Sequence, residues 1–245
     1  MSLIDYSVDG AIARIRLNRP KKLNAINGEM LDGLAAALDQ AESDDNVRVV
    51  LLSGEGRAFS AGFDLDIGAP AGGESLAERT RRELRRDFDL IMRFWDCPKP
   101  TIAAVHGYCL GSSMEITAVC DITVASEDCL FGAPEVRFGS GIVCLILPWI
   151  IGLKHANELL LTGDDKVDAS RAAAIGLVNR VVPADRLAAE ADAIARRIAA
   201  NDELAVRLTK QAIHRGMEIA GLRDALDQAL QLDLEIETVN SGKSP

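Results

Sequence analysis

The sequence predicts an α/β fold. Two short, nearly all-apolar runs, residues 47–52 and 102–105, have the composition of strands buried on both faces. Segments with apolar residues at helical spacing alternate with them. The chain has 245 residues, 48% apolar but only 4% aromatic, so its core is mostly Ala, Leu, Ile and Val. That length fits one large domain, or one domain plus an appendage, and can bury a sizeable core.

In chain order, residues 3–8 and 11–17 form two predicted strands joined at Asp9-Gly10, a strong hairpin dipeptide. Asn27 or Gly28 opens a helix to about residue 44, with Met30, Leu31, Leu34 and Leu38 at helical spacing. The strand 47–52 follows, then a Gly-rich stretch over 54–73. A helix over 74–95 is ended by Pro98 and Pro100, and strand 102–105 comes next. Residues 111–119 suit a short helix and 121–125 a strand. Strand–turn–helix recurs without a sequence period. The longest strongly apolar run, 142–153, is interrupted by Pro148 and Gly152, too short for a membrane span and suited to a buried segment. From about Pro183 helical patterns take over: 187–200, 203–219 and 222–239 are Ala- and Leu-rich with periodic apolar faces. Three terminal helices fit either packing on the core or an oligomer interface. Residues 240–245 are expected to form a frayed tail.

A net charge of −10 argues against nucleic acid as the main partner, because phosphate binding needs a basic surface. The run Arg79-Thr80-Arg81-Arg82-Glu83-Leu84-Arg85-Arg86 is either a local basic patch or a solvated helix face with neighbouring acids. Cysteines 97, 109, 120, 129 and 144 are odd in number and contain no C-x-x-C. They are expected to be reduced, mostly buried thiols of a cytoplasmic protein, with neither disulfide nor zinc. Asp5 stands where the basic region of a signal peptide would lie, so no leader and no membrane association are expected.

Three phrases carry the chemistry. Ala58-Phe59-Ser60-Ala61-Gly62-Phe63-Asp64-Leu65 is either an ordinary tight turn or a place where a free N–H meets a carbonyl oxygen, since small residues admit a ligand close to the backbone. His106-Gly107-Tyr108-Cys109-Leu110-Gly111-Ser112-Ser113-Met114-Glu115 leads from a strand into a helix, whose first N–H groups lack partners and can receive a developing oxyanion. Glu115 lies about one turn on, and faces that space or merely complements the helix dipole. Leu130-Phe131-Gly132-Ala133-Pro134-Glu135 ends on a part-buried carboxyl. That group is either a proton donor with a raised pKa or an ion-pair partner of Arg137. Two carboxyls beside two backbone donors can move protons next to a carbonyl while stabilising the enolate that forms.

In order and content these phrases resemble the crotonase superfamily, the enoyl-CoA hydratase/isomerase family. Further matching phrases are Leu17-Asn18-Arg19-Pro20-Lys21-Lys22-Leu23-Asn24-Ala25-Ile26, Lys99-Pro100-Thr101-Ile102-Ala103-Ala104-Val105, Cys120-Asp121-Ile122, Leu161-Thr162-Gly163 and the stretch 172–182. The resemblance implies a spiral of ββα units over residues 1–190, holding an acyl-CoA site, and a C-terminal helical region over 191–245 used in trimerisation. Homotrimers or hexamers would follow. It also implies backbone oxyanion donors at Phe63 and Ser112, with Glu115 helping to activate water and Glu135 delivering a proton to Cα. Leu23, Asn24, Ala25, Ala61, Asp64 and Leu65 would line the CoA groove, and Tyr108, Gly111 and Val143 would also contact substrate. The CoA thioester would be the substrate, with no cofactor and no metal.

Two departures from the family pattern stand out. Ser112 occupies a place often held by glycine, so its Cβ narrows the approach. In Phe138-Gly139-Ser140-Gly141-Ile142-Val143-Cys144-Leu145, Ile142 and Val143 replace small residues near the expected acyl end. Hydration of a 2-enoyl-CoA is the leading expectation. Isomerisation, thioester hydrolysis, decarboxylation and non-catalytic acyl-CoA binding are the alternatives. His106 is expected to be structural, and no Ser-His-Asp arrangement is evident for His155 or His214.

Overall fold

A computed structural model describes residues 2–64 and 74–240. Leu65, the rest of 65–73 and the predicted tail beyond residue 240 lie outside the described residues. The predicted hairpin is present: β1 (Ile4–Asp9) runs antiparallel to β2 (Ile12–Leu17), with Gly10 at a positive φ in the turn. Then come α1 (Gly28–Ser43), β3 (Val49–Gly54), α2 (Leu76–Asp96), β4 (Thr101–Val105), β5 (Tyr108–Leu110), α3 (Ser112–Val119), β6 (Ile122–Ser126) and β7 (Leu130–Gly132). The chain continues through α4 (Leu147–Ile151), α5 (Leu153–Thr162), β8 (Val167–Asp168), α6 (Ala169–Ala174) and β9 (Arg180–Val182) to α7 (Leu187–Ala199), α8 (Glu203–Ile219) and α9 (Leu222–Asn240).

Local chemistry sets these boundaries. The Asn27 side chain accepts from Met30 N at 3.0 Å and caps α1. Ser75 and Glu78 form a reciprocal capping box at the start of α2. Along α2, Arg82, Arg85 and Arg86 each pair with carboxylates, so this part of the basic run is a solvated face with neighbouring acids, whereas Arg79 is buried. Asn240 closes α9 and donates to Gly139 O at 2.6 Å, so the last helix extends one residue into the predicted tail.

The main sheet has the order β1-β2-β3-β4-β6-β9, parallel from β2 onward. A second, smaller sheet has the order β5-β7-β8. Parallel bridges Ile26–Phe63 and Ser60–Cys109 continue that second layer towards the N-terminus. Each turn of the chain therefore gives a strand to the main sheet, a short stretch to the second layer, and then a helix. This is the spiral of ββα units. Val50 and Leu52 face α1 and α2, whereas Val49 and Leu51 face Leu187, Ala191 and Ile194 of α7. Burial on both faces explains why β3 and β4 are almost wholly apolar.

Helix α8 docks through a polar cluster. Asp121 accepts from Lys210 Nζ at 2.7 Å and from Thr101 N at 2.7 Å, and lies 3.0 Å from His214 Nε2. The His214 ring stacks on Trp95 with centroids 3.9 Å apart. The same helix leaves Leu204, Leu208 and Ile213 exposed. His106 Nε2 lies 2.8 Å from Gly56 O, a structural contact, and all five cysteines are buried. Among the described residues, no helix is long and apolar enough to cross a membrane.

Asn24 ties the site-bearing segments together. It is fully buried at φ 53, a left-handed conformation that Asn tolerates better than most residues. Its Oδ1 accepts from Arg19 N at 2.8 Å, and its Nδ2 donates to Glu55 O, Ala58 O and Phe59 O at 2.8–3.0 Å. Asn24→Ala strips partners from these buried groups, and urea unfolding is expected to show a loss of about 3 kcal/mol. A loss near zero would mean that the segment holds itself.

Candidate active site

The backbone of the second layer creates the first part of the site. Ile26 N donates to Gly62 O at 2.8 Å and Asp64 N to Ile26 O at 2.9 Å, which turns the intervening Phe63 N–H to the opposite side. Ser112 is the first residue of α3, where helical N–H groups have no acceptor within the helix. Neither the Phe63 nor the Ser112 N–H has an acceptor among the described residues. Two glycines let these groups approach. A Cβ on Gly62 would lie 2.9 Å from Leu110 O and 3.5 Å from Ser112 N. A Cβ on Gly111 would lie 2.5 Å from Glu135 Oε1 and 3.9 Å from Gly62 Cα. The two donor phrases and the Glu135 carboxyl thus converge around backbone that carries no side chain.

They share a cavity of about 380 Å³ with Glu115. Glu115, on α3, is 3% exposed, and its Oε2 accepts the Cys144 N–H at 3.1 Å. Burial, and next the nearby Glu135, push its carboxyl well above the ordinary range, while the Cys144 N–H pulls the other way. Glu135 opens a short 3-10 turn, Glu135–Phe138. Burial pushes it up to about 7, and its Oε2 is buried without a partner. Arg137 pairs with Asp165 at 2.5 Å, so the ion-pair alternative for Glu135 does not hold. Burial, joined at Glu115 by the charge of Glu135, disfavours ionising both carboxyls together.

Of the other residues singled out in the sequence, Ala61, Asp64, Gly111, Ser112 and Val143 also form the cavity wall. The Ser112 Oγ is buried without a partner, so the extra Cβ and hydroxyl do occupy space beside the donors. Leu23, Ala25 and Tyr108 are not in the wall. Leu23 O takes the Ala61 N–H at 3.0 Å. Ala25 O accepts from Arg19 Nη1 at 2.9 Å, and that guanidinium pairs with Asp64 at 2.5 Å. Both residues therefore brace the 61–64 segment. Tyr108 is half-exposed on β5. Ile142 packs against the core and only its neighbour Val143 faces the cavity. Leu65 lies outside the described residues.

Sequence reasoning missed the acids on the opposite wall. Asp87 and Glu83 of α2 and Glu237 of α9 line the cavity, and Asp233 lies behind Gly141. The one available signal was the α9 stripe Leu222, Leu226, Leu230, which continues at helical spacing into Asp233 where an apolar residue belongs.

Comparison with known proteins places this arrangement in context. The family model described as enoyl-CoA hydratase/isomerase matches residues 7–243. The short-chain-enoyl-CoA hydratase of Clostridium acetobutylicum is 37% identical over 221 residues, covering 86% of this chain and 80% of that protein. The crystal structure of an enoyl-CoA hydratase/isomerase from Xanthobacter autotrophicus Py2 superposes with a TM-score of 0.92 at 51% identity, over 96% of this chain and 87% of that one. A probable enoyl-CoA hydratase from Mycobacterium smegmatis gives a TM-score of 0.91 at 36% identity, over 99% and 98% of the two chains.

Proposed function

The chain belongs to the enoyl-CoA hydratase/isomerase family, and from that premise we propose that it adds water across the 2,3 double bond of a 2-enoyl-CoA thioester. The observation that carries this reading is the meeting of two buried carboxyls and two unpaired backbone N–H groups in one cavity. The thioester oxygen sits between Phe63 N–H and Ser112 N–H. Attack at Cβ becomes feasible because charge then moves onto an oxygen already facing two donors. Each such donor contributes roughly 3–4 kcal/mol to the transition state.

Glu115 reacts as the anion, which the Cys144 N–H favours against the upward push of burial, and takes a proton from the attacking water as the new C–O bond forms at Cβ. Protonated Glu135 gives its proton to Cα as the enolate collapses. One proton enters the carboxyl pair and one leaves, so the pair ends with the charge it began with. The chemistry runs on the chain's own groups and the thioester, with no cofactor. Self-association as a homotrimer or hexamer, through surfaces that include the exposed apolar residues of α8, and a cytoplasmic location complete the proposal.

The deciding experiment is purified protein with crotonyl-CoA and a longer 2-enoyl-CoA, following loss of the conjugated-thioester absorbance and the product mass. A water adduct is expected. A second reading, double-bond isomerisation, draws on Val143 in the wall, which leaves less room for water. It predicts no adduct, but conversion of a 3-enoyl-CoA to the conjugated ester.

A further inference from the structure

The proposed reaction uses the backbone of Ser112 and leaves its hydroxyl idle. Ser112 is 4% exposed and belongs to the cavity wall. Its Oγ is buried and has no hydrogen-bond partner among the described residues. Two distances locate it. The point where a Gly62 Cβ would stand lies 3.5 Å from Ser112 N and 3.5 Å from Ser112 Oγ. The hydroxyl therefore shares with its own N–H the side of the α3 start that faces Gly62. The peptide that follows Gly62 carries the unpaired Phe63 N–H.

The neighbouring hydroxyls show that the fold does not need this one. Ser113 Oγ donates to Leu110 O at 2.7 Å, with Ser60 O at 2.9 Å, and ties α3 to the second layer. Ser60 Oγ donates to Asn24 O at 2.8 Å and accepts the Gly62 N–H at 3.1 Å. Thr117 Oγ1 donates to Met114 O at 2.8 Å. These contacts hold the backbone of the corner without Ser112 Oγ. A buried hydroxyl with no partner has given up its hydration for nothing in return. Its remaining source of a partner is a molecule in the cavity that it lines.

We propose that the Ser112 hydroxyl is a third donor to the thioester oxygen, engaged as that oxygen becomes the enolate. This rests on the acyl-CoA reading of the site and adds a side chain to its two backbone donors. A carbonyl oxygen has two lone pairs, and the Phe63 and Ser112 N–H groups take both. An enolate oxygen has three lone pairs and a negative charge. The third pair becomes open to a donor only as the new C–O bond forms at Cβ. A hydrogen bond that strengthens with the developing charge lowers the barrier instead of merely tightening substrate binding. No proton is transferred in this contact: the hydrogen stays on Ser112 Oγ, and Glu135 still supplies the proton for Cα.

The test compares wild type with Ser112→Ala and Ser112→Gly, each confirmed as folded by circular dichroism. Both variants keep the backbone N–H and lose the hydroxyl; alanine keeps the Cβ and glycine removes it. Acetoacetyl-CoA is the probe, because it ionises to an enolate without turnover and that enolate absorbs at longer wavelength than the keto form. At one fixed pH, the ratio of bound enolate to bound keto form is expected to fall at least about tenfold in both variants, and kcat for crotonyl-CoA hydration by about 10²-fold. If Ser112 acts only through the space its Cβ fills, alanine matches wild type and glycine exceeds it. A ratio that stays at or above the wild-type level in either variant overturns the proposal, even if kcat falls. So does a wild-type protein that binds acetoacetyl-CoA only in its keto form, or not at all. If the ratio falls in both variants but the wild type hydrates no enoyl-CoA, the hydratase reading fails and the third donor stands. If the wild type hydrates crotonyl-CoA and the ratio does not change, the reverse is true.

Discussion

Glu135→Gln is expected to lower kcat for hydration by about 10²–10⁴-fold while the protein stays folded. The amide keeps the shape of the side chain and removes the one proton that the enolate must receive at Cα. The variant also has a distinctive stability signature. The Glu135 carboxyl sits at about 7 in the folded protein against an ordinary value of 4.5, because burial penalises its anion. Its folded pKa is thus above the unfolded one, and between those two values the native state binds more protons than the unfolded chain. Stability from this group is greatest at low pH and falls as pH rises from about 4.5 to about 7, then stays level. At one pKa unit per 1.36 kcal/mol, the loss above pH 7 is about 3 kcal/mol. Glu135→Gln should therefore unfold at higher urea than wild type at pH 8, and near wild type at pH 4. Turnover by the wild type should decline above a macroscopic pKa near 7, since the donor must be protonated. A variant that keeps full turnover, or one less stable than wild type at pH 8, removes Glu135 from the role of proton donor.

The companion change, Glu115→Gln, distinguishes the two proposed reactions. In hydration both carboxyls handle protons, so both variants lose turnover by orders of magnitude. Isomerisation can run with one carboxyl and would make the pair strongly unequal.

The division between what the sequence revealed and what it hid has a physical basis. β3 and β4 were legible because burial on two faces forces continuous apolar runs, β2 because it follows the Asp9-Gly10 hairpin dipeptide, and α8 and α9 because their apolar stripes repeat over four or more turns. β5, β7 and β8 were not, because strands of three, three and two residues are shorter than any periodicity can register. Yet these short strands, with the bridge at Phe63, hold the unpaired Phe63 and Ser112 N–H groups in place. In the site, Glu115 and Glu135 stood out because glycine-rich phrases surround them. Asp87 and Asp233 did not, since an acid on a charged helix reads as solvated until the fold turns it inward. Leu23 and Ala25 illustrate the converse. The resemblance implied that they line the CoA groove; what the fold adds is that a left-handed turn at Leu23 and Asn24 makes their carbonyls supports for Ala61 and Arg19.

Gly111→Ala is expected to cost far more in catalysis than in stability. Gly111 has φ 58, and its missing Cβ would stand 2.5 Å from Glu135 Oε1. The colliding atom is the end of a side chain, so the fold can relieve the overlap by displacing the carboxyl. At φ 58 and ψ −135, outside the left-handed helical region, the backbone strain of an alanine is about 1–3 kcal/mol. Stability should therefore fall modestly, while the proton donor moves out of register with Cα and the adjacent Ser112 N–H shifts relative to Phe63. A misplacement of about 1 Å costs about 10²-fold, and a weakened oxyanion donor about 10²-fold or more. Together kcat is expected to fall by about 10⁴-fold, with a smaller change in KM. Gly10→Ala is the matching control. Gly10 has φ 60 and nothing within 4 Å of its missing Cβ, in a hairpin that is not part of the cavity wall. It also places an alanine at positive φ but without the collision, so it should lose stability and retain its turnover. Equal losses of activity in the two variants would trace the Gly111 effect to strain alone and separate it from the convergence of donor and acid.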